Sequence, residues 1–188
     1  MDYLQQAQIL HDEADKILSD MKLIDRLFEF GTVHMVGSYA YNLMVWRDLD
    51  LVLEIPGDDL KLADDVLSSI RSIEHATIKT LDNRNKNKKD RPKGVWIGLY
   101  IHQWKIDIWI MNPHETAHEL SLRDRWIEKY KSIDAQSFLS LKTALAKDPD
   151  YHKAFSSVDI YEAFCHEQVL SAREFYAWFN KKKQRSPI

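Results

Sequence analysis

The sequence predicts an α+β fold, in which a small mixed β-sheet flanked by helices is followed by a C-terminal helical bundle. Apolar residues recur at helical spacing near the N-terminus and again beyond Pro113, whereas the segments between them alternate apolar and polar residues as strands do. With 188 residues and 45% apolar content, the chain can bury a substantial core. We therefore expect a sheet-containing core at residues 1–112 and a helical region at residues 113–188.

The N-terminal part is predicted to contain a helix, a short strand and a turn. Apolar positions in residues 10–28 are spaced by three and four, which predicts one amphipathic helix. Residues 32–36 are short and apolar, as in a strand, and Gly37 and Ser38 interrupt them. About two helical turns are then expected in residues 39–45.

The segment of residues 48–55 is predicted to be a half-buried strand. Its leucines and Ile55 occupy alternate positions and share one face, so Asp48 and Asp50 point together to the other face. Pro56 and Gly57 end this strand, and helical spacing resumes after them.

Two further strands are predicted at residues 95–101 and 104–111, joined by a two-residue hairpin turn. Three isoleucines of the second strand share one face, so Asp107 points the other way with Lys105 and Trp109. We expect Trp109 to line a cleft beside Asp107.

The composition favours a soluble protein of the cytoplasm, without a membrane partner. Cys165 has no second cysteine to pair with, and no stretch approaches eighteen consecutive apolar residues. The N-terminus lacks the basic and then apolar order of a signal peptide. The net charge of −3 argues against a protein-wide attraction to nucleic acid.

Three carboxylates supply the candidate chemistry. Asp48 and Asp50, one residue apart on one strand face, can coordinate neighbouring hard cations, and Asp107 on another strand completes the set. Two Mg²⁺ ions held in this way would stabilise both oxygens of an in-line phosphoryl displacement, and Asp107 can also take a proton. The backbone N–H groups of the Gly37-Ser38 turn suit phosphates.

The segment VGSYAYNLMVWRDLDLVLEI, residues 36–55, resembles the Gly-Ser and paired-aspartate motif of the DNA polymerase β-like nucleotidyltransferase superfamily, and WKIDIWI, residues 104–110, resembles its third-aspartate strand. This resemblance implies a nucleotidyltransferase-type sheet and magnesium-dependent transfer of a nucleoside monophosphate from a nucleoside triphosphate to a hydroxyl-type acceptor. The acceptor it implies is a small molecule such as an antibiotic first, and RNA or a protein second.

The resemblance also implies roles for individual residues. The metal-binding and catalytic residues would be Asp48, Asp50 and Asp107; the nucleotide-binding residues would be Gly37, Ser38 and Lys142. The chain departs from the small antitoxin-like members of that superfamily, because Tyr41 stands where they usually have an arginine and Arg47 stands where a small residue is frequent.

Other interpretations of the same residues stay open. The acids can simply decorate the wet face of a strand, with Asp107 in a surface ion pair with Lys105. The fold can also serve a non-catalytic module that binds nucleotide, RNA or a protein. Residues 82–93 are basic and polar, which predicts a solvated loop, with RNA or triphosphate binding as the alternative. The HETAH segment, residues 114–118, matches a zinc-protease pattern but is interpreted as an acidic first helical turn with surface histidines.

Overall fold

The computed structural model describes residues 2–57, 60–84 and 91–185. Within those residues the elements follow one another in the order α1 (Tyr3–Asp20), α2 (Leu23–Phe28), β1 (Thr32–Val36), α3 (Gly37–Ala40), β2 (Asp48–Glu54), α4 (Leu60–Arg71), β3 (Thr77–Asp82), β4 (Val95–Ile101), β5 (Trp104–Met111), α5 (Pro113–Tyr130), α6 (Ala135–Ala146), α7 (Ser157–Glu167) and α8 (Ala172–Arg185).

The strands form one mixed sheet in the order β1-β2-β5-β4-β3. Strands β2 and β5 run parallel in the middle of the sheet, and the other three pairings are antiparallel. The connection between β2 and β5 includes helix α4, as a parallel crossover requires. The predicted fold class, a mixed sheet with flanking helices and a helical C-terminal region, is confirmed.

The N-terminal helix is divided, contrary to the prediction of a single helix over residues 10–28. Lys22 has a φ of 50°, and this left-handed residue separates α1 from α2. The two turns expected in residues 39–45 are also wrong, because α3 ends at Ala40 and Asn42 has a φ of 54°. The spacing of apolar residues does not reveal a single left-handed residue that reverses the direction of the chain.

Strand β3 was not predicted from the sequence. It pairs with β4 at the edge of the sheet, and most of its side chains are exposed. The predicted solvated loop at residues 82–93 therefore begins one residue inside a strand. Its second residue, Asn83, is buried, and the Asn83 side-chain amide donates to the carbonyl oxygen of Pro92 at 2.8 Å. The solvated-loop prediction is wrong for Asn83, whereas Asp82 is exposed but ends strand β3, and residues 85–90 lie outside the described part of the chain.

Two hydrophobic cores stabilise the fold. One lies against the sheet and includes residues of α1, α2 and α4. The other is formed mainly by α6, α7 and α8, and it also takes in Ala7 from α1 and Leu43 from the segment that precedes β2. Helix α1 thus contributes to both cores. The division at residues 112 and 113 stays a prediction.

None of the helices in the described part of the chain is long and apolar enough to cross a membrane.

Candidate active site

The three predicted aspartates lie on the two parallel strands at the centre of the sheet. Asp48 and Asp50 belong to β2, and the neighbouring residues Leu49 and Leu51 are fully buried on the opposite face. In the register of the sheet, Asp50 lies beside Asp107 of β5, and Asp48 lies beside Lys105. Strand alternation and parallel pairing therefore bring all three carboxylates to one face.

The ammonium group of Lys105 lies between two of these carboxylates. Its Nζ atom is 3.2 Å from Asp48 Oδ1 and 2.7 Å from Asp107 Oδ2. The side chain of Lys105 is 38% exposed, whereas those of Asp48 and Asp107 are 15% and 17% exposed. The ion pair that the sequence offered as an alternative for Asp107 is present, and it includes Asp48 as well.

The surroundings of Asp50 and Asp107 oppose the ionisation of these two carboxyl groups. Burial, followed by the charges of Asp48 and Asp107, raises the pKa of Asp50 to about 7, although Lys105 and Lys142 act in the opposite direction. Burial also raises the pKa of Asp107, an effect that Lys105 partly offsets. Like charges held together out of water make the ionised form costly unless a cation is present.

Gly37 approaches the carboxylate of Asp50 more closely than any other residue type could. Its φ is +64°, and a Cβ atom at this position would lie 2.2 Å from Asp50 Oδ2. Glycine is therefore required here both by backbone conformation and by space. Ser38 follows within the short helix α3 and is half-buried. The proposed contacts of Gly37 and Ser38 with a triphosphate stay a prediction.

Lys142 of α6 is buried deep in the protein. Its Nζ atom donates to the carbonyl oxygen of Leu43 at 2.9 Å and to Tyr161 Oη at 3.0 Å, and it lies 5.0 Å from the centre of the Trp46 ring. Burial lowers the pKa of Lys142 to about 7, against the attraction of Asp50 and Asp48. In this structure Lys142 connects the C-terminal helices to the segment before β2, and its predicted contact with phosphate stays a prediction.

A cleft of about 820 Å³ opens above the acids. Asp48, Lys105 and Asp107 lie along it, together with Lys147 at the C-terminal end of α6. Its aromatic lining consists of Trp46, Trp96, Tyr100, Tyr151 and His152. Trp109, which the sequence predicts to line the cleft, is not part of its lining; its cross-strand partner on β4, Trp96, lies there instead.

Comparisons with known proteins agree with this architecture. No protein-family model and no curated protein matches the sequence. A cytoplasmic RNA terminal U-transferase of known structure superposes with a TM-score of 0.52 at 15% identity, over 85% of this chain and 49% of its own. This chain has a nucleotidyltransferase fold.

A second solved structure, of a GLD-2/RNP-8 complex, matches with a TM-score of 0.45 and 16% identity, over 87% of this chain and 66% of that one. The chain thus spans about half the length of the first of these structures and about two thirds of the second.

The acids of this nucleotidyltransferase fold have the chemistry of a site for hard divalent cations. All three donors are carboxylates, and Asp107 Oδ1 is buried with no hydrogen-bond partner among the described residues. The close approach of Gly37 to Asp50 also leaves no room for a side chain between backbone and carboxylate. The ligand atoms of Asp48, Asp50 and Asp107 do not all lie within 4.8 Å of one another, however; among the described residues only those of His11, Asp12 and Asp15 do. Lys105 lies between Asp48 and Asp107.

The HETAH segment is not among the groups of described residues in which three or more ligand atoms lie close together. It begins helix α5, where the Asn112 side chain accepts a hydrogen bond from the N–H of Glu115. The side chain of His114 is 91% exposed, and its Nδ1 atom is 3.6 Å from Glu115 Oε1. The interpretation as an acidic first turn with surface histidines agrees with this position.

Several cleft residues were not identified from the sequence. Trp46 lies two residues before Asp48, and its Nε1 donates to Asp48 Oδ2 at 3.3 Å. Tyr151 and His152 lie between α6 and α7, with ring centroids 3.9 Å apart. The position of Trp46 directly before the paired aspartates was a usable signal for its place in the cleft. Nothing in the local sequence connects residues 151 and 152 with the sheet.

Proposed function

We propose that this protein is a magnesium-dependent nucleotidyltransferase, which moves a nucleoside monophosphate from a nucleoside triphosphate to a hydroxyl acceptor and releases pyrophosphate. The observation that carries the proposal is the position of Asp48, Asp50 and Asp107 on two adjacent parallel strands, where Asp48 and Asp107 line the cleft and Asp50 is buried beside them. Burial raises the pKa of both Asp50 and Asp107, and such groups in a cleft are more typical of functional sites than of solvated surfaces.

The cleft has the size and lining that a nucleotide requires. Its volume of about 820 Å³ lies within the range of ligand pockets, roughly 300–1,000 Å³. The aromatic rings of Trp46, Trp96 and Tyr151 offer faces for a base, and Lys105 and Lys147 offer charge for phosphates. Gly37 and Ser38, between β1 and the acids, would bring backbone N–H groups to the triphosphate.

Asp48, Asp50 and Asp107 would hold the magnesium ions. When bound, Mg²⁺ neutralises charge on the attacking and leaving oxygens of the displacement. The protein contributes the fixed positions of the carboxylates, since β2 and β5 are held in register by the sheet. Ionisation of Asp50, which the metal-free site disfavours, becomes favourable when a cation is adjacent.

Asp107 is also the candidate for accepting the proton of the acceptor hydroxyl. Lys105 holds its Oδ2 atom, and its Oδ1 atom has no partner among the described residues. The raised pKa of Asp107, caused by burial, makes the carboxylate a better base than an exposed aspartate.

For the acceptor, we place a 3′ hydroxyl of RNA ahead of a small molecule or a protein. A solved structure that this chain matches with a TM-score of 0.52 is that of an RNA terminal U-transferase. The five aromatic residues that line the cleft also suit the stacking of more than one base. The sequence resemblance alone places a small molecule first, and the assay below distinguishes the two.

The test is to incubate the protein with Mg²⁺, each labelled nucleoside triphosphate and either an RNA oligonucleotide or a cell extract cleared of RNA. We expect pyrophosphate release with label in RNA, and none with Asp50→Asn. Label in small molecules from the cleared extract would support transfer but overturn the choice of RNA. Nucleotide binding with no pyrophosphate release under any condition would favour the non-catalytic module.

A further inference from the structure

Lys105 lies where a cation shared by Asp48 and Asp107 would be expected. Its Nζ atom is in contact with a carboxylate oxygen of each, at 3.2 and 2.7 Å. An ammonium group and a divalent ion cannot both occupy the space between the same two carboxylates, because like charges at that separation repel strongly in a partly buried site. Binding of a metal ion between Asp48 Oδ1 and Asp107 Oδ2 therefore requires Lys105 to move.

The cleft is the open space towards which the side chain of Lys105 can move. Its strand neighbours Trp104 and Ile106 are buried on the other face of β5, whereas Lys105 itself is 38% exposed and lines the cleft. A lysine side chain has four rotatable bonds, so its ammonium group can leave the carboxylates without any change in the backbone. In the cleft it would meet the anionic phosphates of a nucleotide.

We propose that Lys105 is an internal counter-ion that couples metal binding to nucleotide binding. This inference rests on the proposed function. In the metal-free protein Lys105 neutralises Asp48 and Asp107; a divalent cation displaces it into the cleft, where it binds the phosphates of the nucleotide. Lys105 thereby acts as a positioning residue for the acids and as a ligand of the substrate.

Two effects of opposite sign follow for a variant that lacks the charge. Lys105→Met retains the length and apolar stem of lysine but cannot compete with a metal ion. The variant should bind a metal ion alone more tightly than the natural protein does, and should bind the nucleotide less tightly when metal is saturating. A purely structural role for Lys105 would instead weaken both, because disordered acids bind neither ligand well.

The experiment measures Mn²⁺ binding to the protein by paramagnetic resonance without nucleotide, and then binding of a labelled nucleoside triphosphate at saturating Mg²⁺ without acceptor. We expect Lys105→Met to bind Mn²⁺ about ten-fold more tightly or better, a change of the size that neighbours of metal ligands cause. It should bind the nucleotide at least about ten-fold more weakly, since a charged contact to phosphate is lost.

Two controls isolate the position of the charge. Lys147→Met removes a positive charge from the same cleft at a residue on another element, and should leave Mn²⁺ affinity without nucleotide within about two-fold, since none of the described contacts joins Lys147 to Asp48, Asp50 or Asp107. Lys105→Arg retains the charge and should bind Mn²⁺ alone as weakly as the natural protein. Circular dichroism of each variant establishes that it is folded.

The inference is overturned if folded Lys105→Met binds Mn²⁺ as tightly as the natural protein or more weakly. If Mn²⁺ binding is nevertheless lost in Asp50→Asn, the proposed function still stands. An equal gain in Lys147→Met would also overturn the inference, because the effect would then be that of net charge. Absence of Mn²⁺ binding in every protein, with and without nucleotide, would overturn the inference together with the proposed function.

Discussion

Two clusters of acidic residues in this protein differ in the exposure of their side chains to water. His11, Asp12 and Asp15 on α1 have ligand atoms within 4.8 Å of one another, yet both aspartates are exposed. Their side chains have partners: Gln8 donates to Asp12, Tyr39 donates to Asp15, and His11 stacks on Tyr39. The acids of β2 and β5 are less tightly grouped, but Asp48 and Asp107 line a cleft and Asp50 is buried beside them.

The difference teaches that proximity of ligand atoms is a poorer criterion for a functional site than the cost of keeping the ligands charged. An exposed cluster is solvated whether or not a cation is present, so a cation adds little free energy. At Asp50, burial and neighbouring carboxylates raise the pKa to about 7, so a bound cation changes the free energy of the site substantially. The following predictions test this contrast.

The largest expected effect is on catalysis. Asp50→Asn retains the shape of the side chain but removes a charged ligand, and we expect nucleotidyl transfer to fall by at least about 10²-fold, as for loss of one transition-state stabiliser. Asp12→Asn is the matched change in the exposed cluster and should retain activity. Measured rates of label transfer that are equal in the two variants would remove the distinction between the clusters.

The second effect is on the pH dependence of stability. The pKa of Asp50 is raised from 3.8 to about 7 in the folded protein, so the folded state binds the extra proton between these values. Only the unfolded state loses this proton in that window, so the free energy of unfolding of the metal-free protein falls as pH rises through it, by up to roughly 1.4 kcal/mol for each unit of pKa difference.

Asp50→Asn cannot ionise at this position. The difference in free energy of unfolding between this variant and the natural protein should therefore grow in favour of the variant from about pH 4 to about pH 7, measured by urea denaturation without metal. A difference that is constant across this range would contradict the raised pKa.

Magnesium should stabilise the protein through the cleft acids alone. At a concentration one hundred times the dissociation constant, binding to the folded state adds about 2.7 kcal/mol. For a chain of 188 residues this corresponds to a rise in melting temperature of roughly 5–10 °C. We expect the rise in the natural protein and in Asp12→Asn, but not in Asp50→Asn. A rise that is lost in Asp12→Asn would instead locate the metal at α1.

The smallest effect compares two glycines that both have a positive φ. Gly37→Ala introduces a Cβ atom beside the Asp50 carboxylate, whereas a Cβ atom at Gly57 would have no atom of the described residues within 4 Å. The left-handed backbone alone should cost about 1 kcal/mol in each variant. Gly37→Ala should lose more stability than Gly57→Ala and should also lose transfer activity, as measured by thermal unfolding and by the label assay. Identical behaviour of the two variants would show that the contact with Asp50 has no consequence.

The sequence was most informative where one face of an element is buried. Strands β4 and β5 were predicted with their observed bounds from two apolar runs separated by two residues, and the alternation within β5 placed Asp107 on the face opposite Ile106 and Ile108. Strand β3 was missed because it lies at the edge of the sheet and buries little on either face. Without a buried face, a strand leaves little periodicity in its sequence.

Much of the cleft depends on long-range packing that local patterns do not contain. The contact of Lys105 with Asp48 follows from the register between β2 and β5, which joins residues 57 positions apart. The hydrogen bond from Lys142 to Leu43 joins residues 99 positions apart. Sequence spacing indicates that such residues share a strand face or a helix face, but the partner that each one meets is decided by the tertiary fold.

Anomalous diffraction from crystals grown with Mn²⁺ and a nucleoside triphosphate tests the central claim most directly, because it compares both acid clusters in one experiment. The account predicts anomalous density among the carboxylates of Asp48, Asp50 and Asp107, with the ammonium group of Lys105 withdrawn towards the phosphates. Density beside His11, Asp12 and Asp15, with Lys105 still bound to Asp48 and Asp107, would contradict it.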